Sequence, residues 1–220
     1  TRAGARPPAR PMTGGAVGAA LAKVDGPAKL NGQERYGADD IPADALYLRV
    51  IRSPHARARF TLGDLDGFVA ARPGLLRAFT ARDVPSNGYG IYPTVKDQTV
   101  LAIDQVRYRG DPVVAFLGTR DAVAAIRDEE APVAYQVQPP ILGIDAAKAG
   151  DAIHAGKPGN VLADGGVTHG DVDAALAGCA HVVDVTYETS FVEHAYIEPE
   201  AGWAERKGGA LELHVSTQNP

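Results

Sequence analysis

Val113-Val114-Ala115-Phe116-Leu117, closed by Gly118 and followed at once by Thr119-Arg120-Asp121, is an apolar run with a helix start directly behind it. A run this short, rich in β-branched and aromatic side chains, reads as a buried strand. Thr119 can accept a hydrogen bond from the free N–H groups of a first helical turn, so a helix is expected to open there. Ala122, Val123, Ala125 and Ile126 line that helix until Pro132, which cannot continue it. Residues 133–137 then alternate like a half-buried strand, and Pro139-Pro140 ends it.

The same order of signals lies upstream. Leu46-Tyr47-Leu48-Arg49-Val50-Ile51-Arg52 is a strand rich in large apolar residues. Residues 64–71 offer Leu65, Phe68 and Val69 on one helical face, and Pro73-Gly74 stops them. Residues 75–80 form a short strand. Strand–helix–strand order of this kind predicts a mixed α/β or α+β domain over residues 27–145. Before it, residues 1–26 are rich in Ala, Gly, Pro and Arg without a period and read as an extended tail. After it, residues 146–168 hold many Gly, Ala, Asp and Pro and read as a linker. A second domain is expected over residues 169–220. There Asp171 can cap a short helix that Gly178 ends, residues 181–189 alternate as a long strand, and Lys207-Gly208-Gly209 marks a hairpin turn. Its elements are too few to close a core, so its remainder is expected on another chain or fragment. Its last strand is expected to expose an unpaired edge.

Composition excludes several classes. The 220 residues carry a net charge of −5, which gives no basic footprint for nucleic acid. Cys179 is the sole cysteine. The chain therefore has no internal disulfide and cannot ligate an iron–sulfur cluster, which takes about four thiolates. Cys179 is expected as a small buried thiol after a helix. No apolar run approaches the roughly 20 residues of a membrane span, and the first residues lack the apolar centre of a secretion signal. The cytoplasm is the expected compartment, with the periplasm as the other candidate. No Gly-x-Ser-x-Gly elbow is present. Gly156-Lys157 is followed by Pro158 where a phosphate loop needs Ser or Thr, and Gly14-Gly15 with Gly18 does not form a dinucleotide fingerprint. None of the 6 histidines is paired at the i, i+4 spacing of a helical metal site. Glu193, His194, Glu198 and Glu200 make the densest ionisable cluster. Two carboxylates near a histidine can do acid–base work, but a polar strand edge satisfying loop backbone is the simpler reading.

Several stretches, in one order, carry a resemblance. They are Lys23-Val24-Asp25-Gly26-Pro27-Ala28-Lys29-Leu30-Asn31-Gly32 with Tyr36 and Asp39-Asp40, Arg52-Ser53-Pro54-His55-Ala56-Arg57-Ala58, and Pro73-Gly74 with Thr80-Ala81-Arg82-Asp83-Val84-Pro85. Val106-Arg107-Tyr108-Arg109-Gly110-Asp111-Pro112-Val113, Val192-Glu193-His194-Ala195-Tyr196-Ile197-Glu198-Pro199 and Ser216-Thr217-Gln218-Asn219-Pro220 complete the set. Together they resemble the N-terminal portion of the molybdopterin-binding subunits of xanthine dehydrogenases, aldehyde oxidases and related molybdenum hydroxylases. The resemblance implies an α+β chain: an α/β hammerhead domain over residues 27–145, then the beginning of the first, mixed α/β molybdenum-binding domain. His55 and the Arg109-Gly110-Asp111-Pro112 turn are expected to be scaffold.

The resemblance also implies chemistry. Family members hydroxylate an N-heteroaromatic or aldehyde carbon with oxygen from water at a molybdopterin-bound molybdenum, and pass electrons to iron–sulfur clusters and FAD on partner chains. The partners implied are the C-terminal remainder of the molybdenum subunit, an iron–sulfur subunit, a flavin subunit and a small-molecule substrate. The pterin-contacting glycine-rich loop and the general-base glutamate lie beyond Pro220 in the family order, so this chain is expected to hold no catalytic residue and no metal ligand of its own. One position carries over. Many members place a glutamine amide, donating to an oxygen ligand of molybdenum, where this chain has Val192. Valine cannot donate, so Val192 and Phe191 are expected to form an apolar wall at the cofactor. A non-catalytic hammerhead module that docks partner chains is the alternative reading.

Overall fold

Thr119 accepts a hydrogen bond from the N–H of Ala122, 3.4 Å away, and the helix it starts lies directly behind a largely buried strand. A computed structural model of the chain describes residues 22–90, 95–190, 192–195 and 200–217. The expectations for Phe191, Glu198, most of the tail and the last three residues lie outside them.

The elements in chain order are α1 (Gly26–Leu30), β1 (Tyr47–Arg52), β2 (Ala58–Leu62), α2 (Leu65–Ala70), β3 (Leu75–Phe79), β4 (Gly88–Tyr89), β5 (Gln98–Thr99), β6 (Gln105–Val106) and β7 (Pro112–Gly118). They continue with α3 (Arg120–Ala124), β8 (Val133–Val137), α4 (Ile144–Ala149), α5 (Val172–Ala177), β9 (Ala201–Lys207) and β10 (Ala210–Ser216). Residues 44–191 form one compact unit; residues 1–43 with 192–220 form the other.

The first unit is organised by β7. Strand order in its first sheet is β1-β7-β3, and in its second β6-β2-β8, with every pairing antiparallel. The buried side chains of β7 alternate between two cores, which is why the strand reads as one continuous apolar run. Val114 and Phe116 enter a cluster with Ile51, Phe68, Leu75, Val123, Ile126 and Ala131. Val113 enters another with Ala58, Phe60, Ala102 and Val106. Phe68 of α2 and Val123 of α3 therefore cap the first sheet from the helix side, as their spacing predicts. Asp64 caps α2 through the Gly67 N–H at 2.8 Å.

Two quoted motifs meet here. The Ser53 N–H donates to the Asp111 carbonyl at 2.9 Å, and the Gly110 N–H donates to the Ser53 carbonyl at 2.8 Å. Gly110 has φ of 98°, a left-handed conformation that glycine adopts without strain. His55 sits edge-on to Tyr135 with ring centroids 5.0 Å apart, a scaffold contact.

Four expectations need correction or refinement. The helix from Thr119 ends at Ala124, because the chain turns to bury Ile126 and Ala131 in the core. The stretch 146–168 is not featureless: Asn160 fastens it by accepting from the Ile153 N–H at 2.8 Å and donating to the Ala147 carbonyl at 2.7 Å. Residues 181–189 are assigned no strand, and Val183 and Tyr187 stand 82% and 86% exposed. An alternating segment becomes a strand only against a partner, and none pairs with it among the described residues. Cys179 is exposed rather than buried. Its Sγ donates to the Ala175 carbonyl at 3.3 Å, because α5 is itself uncovered.

In the other unit, β9 and β10 form the hairpin read from Lys207-Gly208-Gly209, with Ala210 opposite Lys207. The edge expected to be bare on the last strand is thus paired on one side by β9.

Thr119→Ala is expected to lower the stability of residues 44–191 by about 1 kcal/mol, the usual cost of an N-cap hydroxyl. Urea unfolding followed by circular dichroism measures it; an unchanged midpoint contradicts the capping role.

Candidate functional site

Val192, which the resemblance puts nearest the cofactor, is 72% exposed. Glu193 and His194 beside it are exposed as well. Among the described residues neither takes a hydrogen bond or an ion pair, so no acid–base pair is assembled there. Ala195 follows with φ of 47°, a left-handed turn rarely adopted by a residue with a Cβ. Glu200 lies near Thr217, whose hydroxyl donates to its Oε1 at 3.2 Å.

The β9–β10 hairpin brings Glu205, Glu212 and His214 within 4.8 Å of one another. Glu205 and Glu212 face each other across the ladder, and His214 stacks on Trp203 at 3.8 Å. Lys207 already bridges the two carboxylates, with Nζ 3.0 Å from Glu212 and 3.9 Å from Glu205. All three candidate ligands are exposed, so the cluster is a solvated charge network.

A concavity of the first unit is lined by none of Val192, Glu193, His194 and Glu200. A cavity of about 530 Å³ is lined by Tyr89, Asp97, Arg107, Tyr108, Asp111, His154 and Lys157, among others. Asp111 is 3% exposed, and its Oδ2 accepts the Arg107 backbone N–H at 3.0 Å. Burial pushes its carboxyl above the ordinary range, against the pull of that N–H and of Arg107, His154 and Arg52. Burial likewise raises the Tyr108 phenol, with Asp111 adding to it. His154 places Nδ1 3.0 Å from the Asp97 carbonyl and 3.5 Å from its Oδ2. In the sequence, Arg107 and Asp111 read as part of a turn, and His154 as part of a linker. No short spacing links them, so the sequence holds no signal for their meeting.

Residues 31–139 match the family model for the aldehyde oxidase and xanthine dehydrogenase a/b hammerhead domain. Residues 153–220 match that for the molybdopterin cofactor-binding domain. The chain belongs to the xanthine dehydrogenase and aldehyde oxidase family. It is 34% identical over 203 residues to the nicotinate dehydrogenase large molybdopterin subunit of Eubacterium barkeri, covering 90% of this chain and 46% of that protein. It is 29% identical over 226 residues to the nicotine 6-hydroxylase large subunit of Paenarthrobacter nicotinovorans, covering 96% of this chain and 27% of that protein. The chain thus spans less than half the length of these curated relatives. The aldehyde oxidoreductase of Desulfovibrio gigas superposes with a TM-score of 0.53 and 27% identity, over 61% of this chain and 16% of that one.

The hammerhead match takes in both β7-centred cores. The match to the cofactor-binding domain takes in α5, Val192 and the β9–β10 hairpin. Within that match Val192 offers only methyl groups, and Glu193 and His194 are exposed. Among the described residues, no helix is long and apolar enough to cross a membrane.

Proposed function

We propose that this chain is part of the molybdenum-binding subunit of a multi-subunit hydroxylase that oxidises an N-heteroaromatic or aldehyde substrate, with water as the oxygen source. The observation that carries this reading is the pairing, on one chain, of a hammerhead match with a molybdopterin cofactor-binding match. The names of the relatives support a subunit role, since both are called large subunits. In this reading the hammerhead spans residues 27–145, the linker 146–168, and the cofactor-binding domain opens at residue 169. The general base and the pterin-binding loop come from outside these residues. In this reading the iron–sulfur clusters and FAD are carried by partner chains; within these residues a lone, exposed Cys179 cannot hold a cluster.

Metal analysis of the native complex, isolated through a tag on this chain, tests the proposal. Molybdenum and iron should copurify, and Cys179→Ser should leave the iron content unchanged. A complex without molybdenum overturns the reading.

Val192 and Phe191 are proposed as an apolar wall at the cofactor. Val192→Gln should lower kcat/KM of the assembled enzyme by about tenfold, because it puts an amide into an approach fitted to an apolar surface. It should leave the melting temperature unchanged, since the side chain is not packed in a core. Unaltered kinetics would remove Val192 from the site while leaving the family assignment intact.

A further inference from the structure

We propose that residues 144–162 form a strap across the cavity of the first unit, fastened by His154 to Asp97 and loosened when His154 loses its proton. The proposal does not depend on the molybdenum reading. The strap is tied together from within. Asn160 accepts from the Ile153 N–H and donates to the carbonyls of Ala147 at 2.7 Å and Asp151 at 3.1 Å, so α4 and the loop behind it move as one piece. Glycines stand at both ends: Gly143, with φ of 81°, precedes α4, and Gly165-Gly166 follow the strap. Such positions absorb the backbone rotation of a hinge. Ile153 and Leu162 line the cavity from the strap, with Asp97 and Asp111 on the body of the unit.

One polar contact fastens the strap. His154 Nδ1 lies 3.0 Å from the Asp97 carbonyl and 3.5 Å from its Oδ2. Among the described residues, no other hydrogen bond or ion pair joins the strap to the rest of the first unit. The strength of this contact follows charge, and imidazoles change charge between about pH 5 and 8. A neutral imidazole carries its single proton on either nitrogen; a protonated one carries both, so Nδ1 then always donates to the carbonyl. The positive ring is also drawn to the Asp97 carboxylate. The two side chains are 33% and 20% exposed, so water screens the pair only in part. Asp111 acts in the same sense, since a charge on His154 pulls its carboxyl down. Arg107 and Lys157 line the same cavity and act in the opposite sense, with Lys157 Nζ turned to the Leu162 carbonyl at 3.1 Å. Tyr89 and Tyr108 are phenols, which ordinarily keep their proton up to about pH 10. The Asp97 carboxylate, in direct ion-pair range, sets the sign: acid closes the strap and alkali loosens it.

Pulsed electron spin resonance on the purified full chain tests this. Spin labels go on Asp151→Cys in the strap and Thr61→Cys on β2, in a Cys179→Ser background. At about pH 5.5 a single short distance distribution should dominate. At about pH 8.5 the longer-distance population should be about three- to fivefold larger, the effect of losing one partly exposed ion pair. His154→Gln should give the same distribution at both pH values. Asp97→Asn, which keeps the carbonyl and removes the charge, should remove most of the difference. Circular dichroism shows whether each variant keeps the fold; neither side chain belongs to a hydrophobic core, and if one variant fails the other decides. A parent distribution that does not change between the two pH values overturns the proposal. So does a pH dependence that survives either substitution.

Discussion

Phe116→Ala is expected to cost residues 44–191 about 3–5 kcal/mol, a large share of the stability of a domain this size. Phe116 is fully buried, at the centre of β7. Its neighbours arrive from both flanking strands and from both covering helices. Arg49 of β1 and Ala78 of β3 pair with it across the ladders, and the Phe68 ring of α2 lies 5.0 Å from its own. Truncation removes the transfer free energy of the ring and leaves a void that the paired strands cannot close. Urea unfolding should show a much lower midpoint with little change in slope. A loss below about 1 kcal/mol would mean that the core around β7 repacks freely, contrary to the place of that strand between two separate clusters. Leu213→Ala, at a side chain 63% exposed on β10, is the control and should change stability by no more than about 0.5 kcal/mol.

Asp111→Ala should cost about 1–3 kcal/mol, because it leaves the Arg107 N–H without its acceptor in a buried turn. Asp111→Asn keeps an oxygen for that N–H and should fold nearly as well as the parent. The pH dependence separates the two roles of the carboxylate. Burial raises its folded-state value above that of the unfolded chain, so the folded protein binds more protons in the interval between the two values. Stability from this group therefore rises as pH falls through the raised folded value towards the ordinary one, and is lost as pH climbs back. Asp83 runs the other way. The Thr80 N–H, then Arg77 and the Thr80 hydroxyl, hold it low, so its contribution is present above its unfolded value and fades in acid. Subtracting the unfolding profile of Asp111→Asn from that of the parent isolates the Asp111 component. The asparagine variant should have its greatest relative advantage at neutral pH and lose it on acidification. A pH-independent difference would show that Asp111 carries no desolvated charge.

The parts of the fold legible in the sequence are those fixed by neighbours in the chain. The apolar run of β7, the Thr119 and Asp171 caps and the Lys207-Gly208-Gly209 turn each state their structure locally, and each is found where expected. The two-residue strands β4, β5 and β6 are not legible, because pairing with distant residues is all that makes them strands. Residues 181–189 show the converse: their alternation is plain, yet alternation alone forms no ladder. At the candidate sites, Val192 stands out through a family resemblance rather than from local chemistry. The cavity around Arg107 is hidden because Tyr89, Asp111 and His154 converge only after the sheets have formed.

The position of β7 also governs when this protein can fold. Strands β1 and β3 do not pair with one another; both are laddered to β7. On the ribosome, β1 is complete at Arg52 and β3 at Phe79, but the strand that joins them begins only at Pro112. Until then both carry unpaired backbone edges and the apolar side chains Ile51 and Leu75 without a core. Such high contact order slows folding and prolongs the exposure of aggregation-prone edges. Release of residue 118 from the exit tunnel is thus the event that completes the first sheet.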